Sequence, residues 1–190
     1  MAQKKLSSQI SSITAELKRR EAEQDRILSS TREIIRHCAV GIKLLHSGKV
    51  AEAKKEIASA QKKVAPFSKT EKFSYLLEQV WQEIAEARLF LAAVEKKELP
   101  SYAELSMPFE PYLLGLCDLI GELRRQMLEC LKSGNKREAA RYFDMMSAIY
   151  DELSPIRFSN SLLPNFRKKQ DVARSQVEQA RSELVRATSR

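Results

Sequence analysis

Apolar residues recur from Ser7 to His46 at Ile10, Ile13, Leu17, Leu28, Ile35, Cys38, Ile42 and Leu45, the spacing of a helix with one core-facing side. No Pro interrupts this stretch and its first Gly is Gly41, so it predicts one helix of about forty residues. A helix that long needs several partners along its length. Gly48 suits the left-handed residue that ends a helix, and a Lys-rich amphipathic pattern follows from Lys49 to Val64, stopping at Pro66. Ser68 and Glu71 have the spacing of a capping box, in which each side chain satisfies the other's free backbone N–H. They predict a third helix over about Ser68 to Lys97. Ser101 and Glu104 repeat the signature and predict a short helix in the connection before Pro108 and Pro111.

The segment from about Glu110 to Lys132 is apolar around most of its circumference. At about 100° per residue, Leu113, Leu116, Cys117, Ile120, Leu123 and Met127 share a broad face, while Asp118, Glu122, Arg125 and Glu129 gather on a narrow stripe opposite. Ser133-Gly134 ends it. Asn135 to Glu138 opens the next helix, which continues through Tyr142, Phe143, Met146, Ile149 and Tyr150 to Leu153, before Pro155. Leu163-Pro164 leads into a last helix, rich in Arg and Lys at its start, that reaches about Ala187. No period-two run, repeat or low-complexity tail occurs. The pattern predicts an all-α bundle of six to seven helices, a single domain over residues 1–190.

Composition agrees. With 190 residues, 43% of them hydrophobic, the chain buries a sizeable core, and only five Gly and six Pro argue against a turn-rich β fold. No apolar run approaches the roughly 20 residues that span a bilayer. The start, Met-Ala-Gln-Lys-Lys-Leu-Ser-Ser, lacks the apolar stretch of a secretory signal, so a cytoplasmic protein is expected. Cys38, Cys117 and Cys130 read as buried thiols; the last two, on one helix, stand about 20 Å apart, too far to bridge.

Charge is uneven along the chain. Residues 1–66 hold 14 Lys/Arg and 7 Asp/Glu, residues 67–153 hold 11 and 15, and residues 154–190 hold 8 and 3, for a net +8. Basic arms thus flank an acidic middle. A basic surface attracts polyanions, although basic helices are also simply solvated. Lys18, Arg32, Arg36 and Lys43 fall within about 40° of one another on the first helix.

Two acidic pairs stand out in the middle. Asp118 and Glu122, four residues apart, and Glu83 and Glu86, three apart, each lie one above the other on a helix built for burial. Chance pairs occur among 25 acids, and solvated acidic stripes are the simpler reading of the spacing alone. Context alters that. Asp118 sits inside Leu-Gly-Leu-Cys-Asp-Leu-Ile-Gly, where an unpartnered charge is costly, and Glu83 borders an apolar side carrying Leu76, Val80, Phe90 and Val94. If the helices are neighbours, four carboxylates converge where a divalent cation fits. The histidines, His37 and His46, are expected near neither pair, so an all-oxygen site for Mg²⁺ or Mn²⁺ is expected rather than zinc or iron.

Asp25-Arg-Ile, Arg32-Glu-Ile, Leu44-Leu-His46, Gln82-Glu-Ile-Ala-Glu-Ala87 and Tyr112-Leu-Leu-Gly-Leu-Cys-Asp-Leu-Ile-Gly-Glu-Leu-Arg-Arg125 resemble the translin family, in particular its Trax (translin-associated factor X) branch. The likeness extends to Ile149-Tyr150-Asp151 and the basic last helix, nearly the whole chain. It implies the seven-helix translin bundle, assembled into hollow octamers that enclose RNA. It also implies that Trax-type subunits are metal-dependent endoribonucleases using two acid pairs on two helices. Carried over, those acids are Glu83, Glu86, Asp118 and Glu122, and the arginine after the second pair is Arg125. The chain departs from the eukaryotic pattern in its compact Lys97 to Pro111 connection, in lacking an extended basic N-terminus, and in Ala39 and Val40, where eukaryotic members tend to be polar or basic.

The expectation is therefore Mg²⁺- or Mn²⁺-dependent hydrolysis of single-stranded RNA, with short duplex as a further form, inside a homo-oligomer and with little base preference. Arg32, Arg36, Lys43, Arg124 and Arg125 are candidates to hold the strand, with a surface or intersubunit salt-bridge role open for each. A non-catalytic RNA- or single-stranded-DNA-binding oligomer is the alternative, and a plain helical scaffold a third. Trp81 reads as a core or interface anchor rather than a base-stacking platform.

Overall fold

A computed structural model describes residues 2–67 and 73–188. Its described residues form six α-helices: α1 (Ala2–His46), α2 (Val50–Val64), α3 (Glu78–Val94), α4 (Phe109–Lys132), α5 (Lys136–Leu153) and α6 (Phe166–Thr188). Single 3₁₀ turns, Ala65–Phe67 and Ser74–Leu76, lie between α2 and α3. The all-α expectation holds. None of these helices is both long and apolar enough to cross a membrane.

The helix ends show which local signals were sound. Gly48 (φ 73°) closes α1, with Lys49 N–H donating to the Leu44 carbonyl (2.9 Å), and Gly134 (φ 78°) closes α4. Asn135 caps α5 by accepting from the Glu138 N–H (3.2 Å). The box at Ser101 forms its bonds, Ser101 N–H to Glu104 Oε2 (2.8 Å) and Glu104 N–H to Ser101 Oγ (3.2 Å). No helix follows it, contrary to expectation. Ser106 turns left-handed (φ 53°) and Met107 N–H bonds back to the Tyr102 carbonyl (3.1 Å), which closes the segment after one turn. The third helix also differs from its predicted span, starting at Glu78 and ending at Val94. Its proposed box, Ser68 and Glu71, lies outside the described residues.

Helix α4 is the hub, packing against α3, α5 and α6, while α1 packs against α2 and α3. Leu119, Ile120, Leu123 and Met127 of α4 are fully buried, as are Ile84, Leu89 and Phe90 of α3. The apolar stripe of α1 changes character along its length. Ile27, Ile34, Cys38 and Leu45 are buried in the core, yet the same heptad frame traced backwards gives Leu6, Ile10, Ile13 and Leu17, each more than half exposed. Arg26 stacks over the Phe67 ring (5.6 Å) where the bundle ends, and the residues before it run on as an arm. Trp81 is buried, as an anchor should be.

Candidate functional site

Local sequence explains how α3 and α4 come so close. A Cβ added at Gly115 would lie 2.6 Å from Ala85 Cβ, 3.0 Å from the Gln82 carbonyl oxygen and 3.2 Å from Glu86 N. Only hydrogen at this position lets the two backbones meet. The contact falls between the pair on α3 and, one turn along α4, Asp118. Glu83 and Glu86 therefore face Asp118 and Glu122. Both glutamates are half-buried, and both carboxyls are pushed up, first by burial and next by the charge of Asp118. Glu122 adds to this at each, and Glu86 reaches about 8.

The two pairs are compensated differently. No hydrogen bond or ion pair reaches the carboxylate of Glu83 or Glu86 among the described residues. Asp118, by contrast, accepts from Lys169 Nζ of α6 on Oδ1 (2.5 Å) and from Gln82 Nε2 on Oδ2 (2.6 Å). Glu122 Oε2 is bonded to His46 Nε2, and His46 Nδ1 to Gln126 Oε1 (2.9 Å). The imidazole is almost wholly enclosed, with its ring centroid 4.7 Å from that of Phe90. Cys38 completes the wall. Its thiol is pushed up to about 12, by burial and then by Glu83 and Glu86, which suits a buried thiol and not a nucleophile.

One expectation needs correction. Both histidines are expected away from the acid pairs, but the end of α1 puts His46 directly on Glu122. Spacing along the chain carries no information about contacts between helices 76 residues apart. His37 does stay away, bonded to Glu56 of α2 (2.6 Å). The acids are expected to converge where one or two divalent ions fit. They share a neighbourhood, yet no three His, Cys, Asp or Glu side chains among the described residues are arranged to hold a metal. Lys169, Gln82 and His46 occupy oxygens that an ion would need.

The basic candidates divide as well. Arg32, Arg36 and Lys43 are exposed on α1. On the helical wheel they lie about 40–80° around from His46, whereas His37 faces α2 on the other flank. Arg125 is 60% exposed, 3.9 Å from Glu122. Arg124 is not free for a strand: its guanidinium forks onto Glu183 and bonds Gln176 (3.0 Å), tying α4 to α6.

Lys169, Gln82 and His46 are the site residues that sequence reasoning missed. Lys169 had a signal. Phe166, Gln170, Ala173, Val177 and Ala180 form the buried stripe of α6, and Lys169 borders it where a solvated lysine has no place. Gln170 Nε2 donates to the Leu153 carbonyl (2.7 Å) and fixes the start of α6, so that the lysine stem points at α4.

The Translin family model matches residues 2–183. The chain belongs to the translin family. Among its relatives, the uncharacterized protein MJ0175 of Methanocaldococcus jannaschii is 34% identical over 175 residues, 89% of this chain and 78% of that protein. The structure of AfC3PO in complex with duplex RNA is 30% identical with a TM-score of 0.86, covering 95% of this chain and 97% of that one. AfC3PO crystallised alone is 28% identical, with a TM-score of 0.82 and the same coverage. The fold extends to apo-NeC3PO, at 19% identity and a TM-score of 0.85. This translin-family chain carries Glu83 and Glu86 on α3 and Asp118 and Glu122 on α4.

Proposed function

We propose that this chain is a Trax-like, metal-dependent endoribonuclease that cleaves single-stranded RNA within a homo-oligomer. One observation carries the reading: four carboxylates from two buried helices are held together with fewer positive partners than charges, at the cost of a carboxyl pushed to about 8. Packing alone does not ask for this. Hard carboxylate oxygens fit Mg²⁺ or Mn²⁺, and Glu83, Glu86, Asp118 and Glu122 would hold it. Bound there, the metal would supply an activated water and would offset the charge developing on the scissile phosphate and leaving oxygen.

The chain's own groups do the rest. The planar fork of Arg125 borders Glu122 and suits a phosphate. Arg32, Arg36 and Lys43 supply a positive edge that reads backbone and not base, consistent with little sequence preference. AfC3PO has been solved with duplex RNA, so short duplex stands as a further substrate form here. The exposed Leu6, Ile10, Ile13 and Leu17 give a homo-oligomer, an octamer in keeping with the Trax resemblance, an apolar surface to bury.

A strand-cleavage assay with Mg²⁺ or Mn²⁺ on wild type and Asp118→Asn tests the proposal. Loss of cleavage in the variant supports it; equal cleavage by both removes the acids from the chemistry. A non-catalytic RNA- or single-stranded-DNA-binding oligomer is the second reading, favoured by the lack of three metal-ready ligands among the described residues. It is the outcome if wild type binds RNA but leaves it intact with either ion.

A further inference from the structure

Lys169 stands where the proposed function would place a metal. Its ammonium is on Asp118 Oδ1 (2.5 Å), while Gln82 holds Oδ2 (2.6 Å), so both oxygens of that carboxylate are engaged. Lys169 is thus the ion-pair partner of Asp118. Its side chain is 29% exposed, leaning on the bundle with its head in the acid cluster. The start of α6 is pinned by Gln170 and by the buried Phe166 and Ala173. A lysine so placed is not a stray surface charge.

We propose that Lys169 is a built-in placeholder for the divalent cation: it supplies one positive charge to the acid cluster, yields Asp118 when the metal enters, and then serves the RNA phosphate. The inference rests on the metal-site reading above and deepens it. Monovalent ions offer Asp118 no more charge than the ammonium already there, so they gain little by displacing it. A divalent ion brings a second charge to four carboxylates, and the exchange is favourable. The displaced head stays tethered by four methylenes to a fixed helix start. It therefore remains beside whatever the metal binds, and an anionic phosphate oxygen is its natural next acceptor. Lys169 would thus weaken metal binding and aid substrate positioning at once, a pairing that a purely structural salt bridge does not produce.

Calorimetric titration of Mn²⁺ into wild type, Lys169→Met, Lys169→Gln and Asp118→Asn, without RNA, separates these roles. Removing the competing charge should tighten Mn²⁺ binding by about tenfold, about 1.4 kcal/mol, in both lysine variants and enlarge the rise in melting temperature on adding Mn²⁺. Cleavage at saturating Mn²⁺ should nevertheless fall, with Lys169→Arg recovering part of it. If Lys169→Met does not fold, Lys169→Gln, which keeps a donor to Asp118 without the charge, carries the same measurement. Mn²⁺ bound no more tightly than by wild type would overturn the placeholder, provided Asp118→Asn loses the binding. Equal Mn²⁺ binding by wild type and Asp118→Asn would instead overturn the metal-site reading, and this inference with it.

Discussion

Glu83 and Glu86 on α3 and Asp118 and Glu122 on α4 share one neighbourhood, but among the described residues only the α4 pair has bonded partners. Asp118 has Lys169 and Gln82, and Glu122 has His46, from three different helices. The α3 pair meets burial and its neighbours' charge, and Glu86 answers with a carboxyl near 8. A packed bundle gains nothing from this asymmetry, since two uncharged residues on α3 would be cheaper to bury. The acids bonded to other helices are fixed in place, while the α3 pair, without such bonds among the described residues, has the raised carboxyls. Each half makes sense only because α3 and α4 touch at Gly115.

That contact is where the comparison breaks most completely. Gly115→Val puts a branched side chain 2.6 Å from Ala85 Cβ and 3.0 Å from the Gln82 carbonyl, and neither obstacle is a flexible chain end. The helices must separate, at a cost of about 2–3 kcal/mol. The pairs then part, cleavage falls by about 100-fold or more, and Glu86 returns toward its ordinary value. Urea unfolding together with the cleavage assay reads both effects. A variant as stable and active as wild type would show that the close approach does not organise the site.

The next effect uses pH. Burial and the neighbouring carboxylates push the Glu86 carboxyl up to about 8 in the folded protein, against an ordinary value of 4.5 that stands for the unfolded chain. Below the lower value the group is neutral in both states and carries no penalty. Between the two values the unfolded chain has lost the proton that the folded chain keeps, so metal-free stability falls as pH rises across that window and is lowest above it. Glu83, shifted the same way, adds to the fall. Glu86→Gln should flatten much of the slope and leave the metal-free protein about 2–3 kcal/mol more stable at pH 8 than wild type. Chemical denaturation in chelator at several pH values tests this. An unchanged slope would mean that the α3 pair is not under strain.

How much of this was legible follows the same division. Helix periods, the Gly48 and Gly134 stops and the Asn135 cap depend on residues within a few positions of one another, and the sequence reading of them matches the structure. The two acid pairs were visible for the same reason, as i,i+3 and i,i+4 spacings on helices too apolar to be surface elements. Partners were not legible, because they arrive from elsewhere: His46 from 76 residues away and Lys169 from 51. The Ser101 box shows the limit of local signals, since its bonds form but Ser106 ends the turn before a helix can propagate. Arg124 and Arg125 are neighbours in sequence, yet 100° of helix rotation gives one to Glu183 and leaves the other mostly exposed beside Glu122.

Those two arginines carry the finest distinction, because both follow the same α4 pair and they differ in what faces them. Arg125→Ala should weaken RNA binding several-fold whatever the sequence and lower the salt dependence by about one counterion, with stability changed by less than about 0.5 kcal/mol. Arg124→Ala should do the reverse. Loss of the fork to Glu183 and of the bond to Gln176 costs about 1–2 kcal/mol of stability, while the salt slope holds. Binding titrations at several salt concentrations, each beside a melting curve, separate the two. If Arg124→Ala proved to be the variant that lowers the salt slope, the α4 to α6 contact would have to open in solution, and the fixed position of Lys169 over Asp118 would open with it.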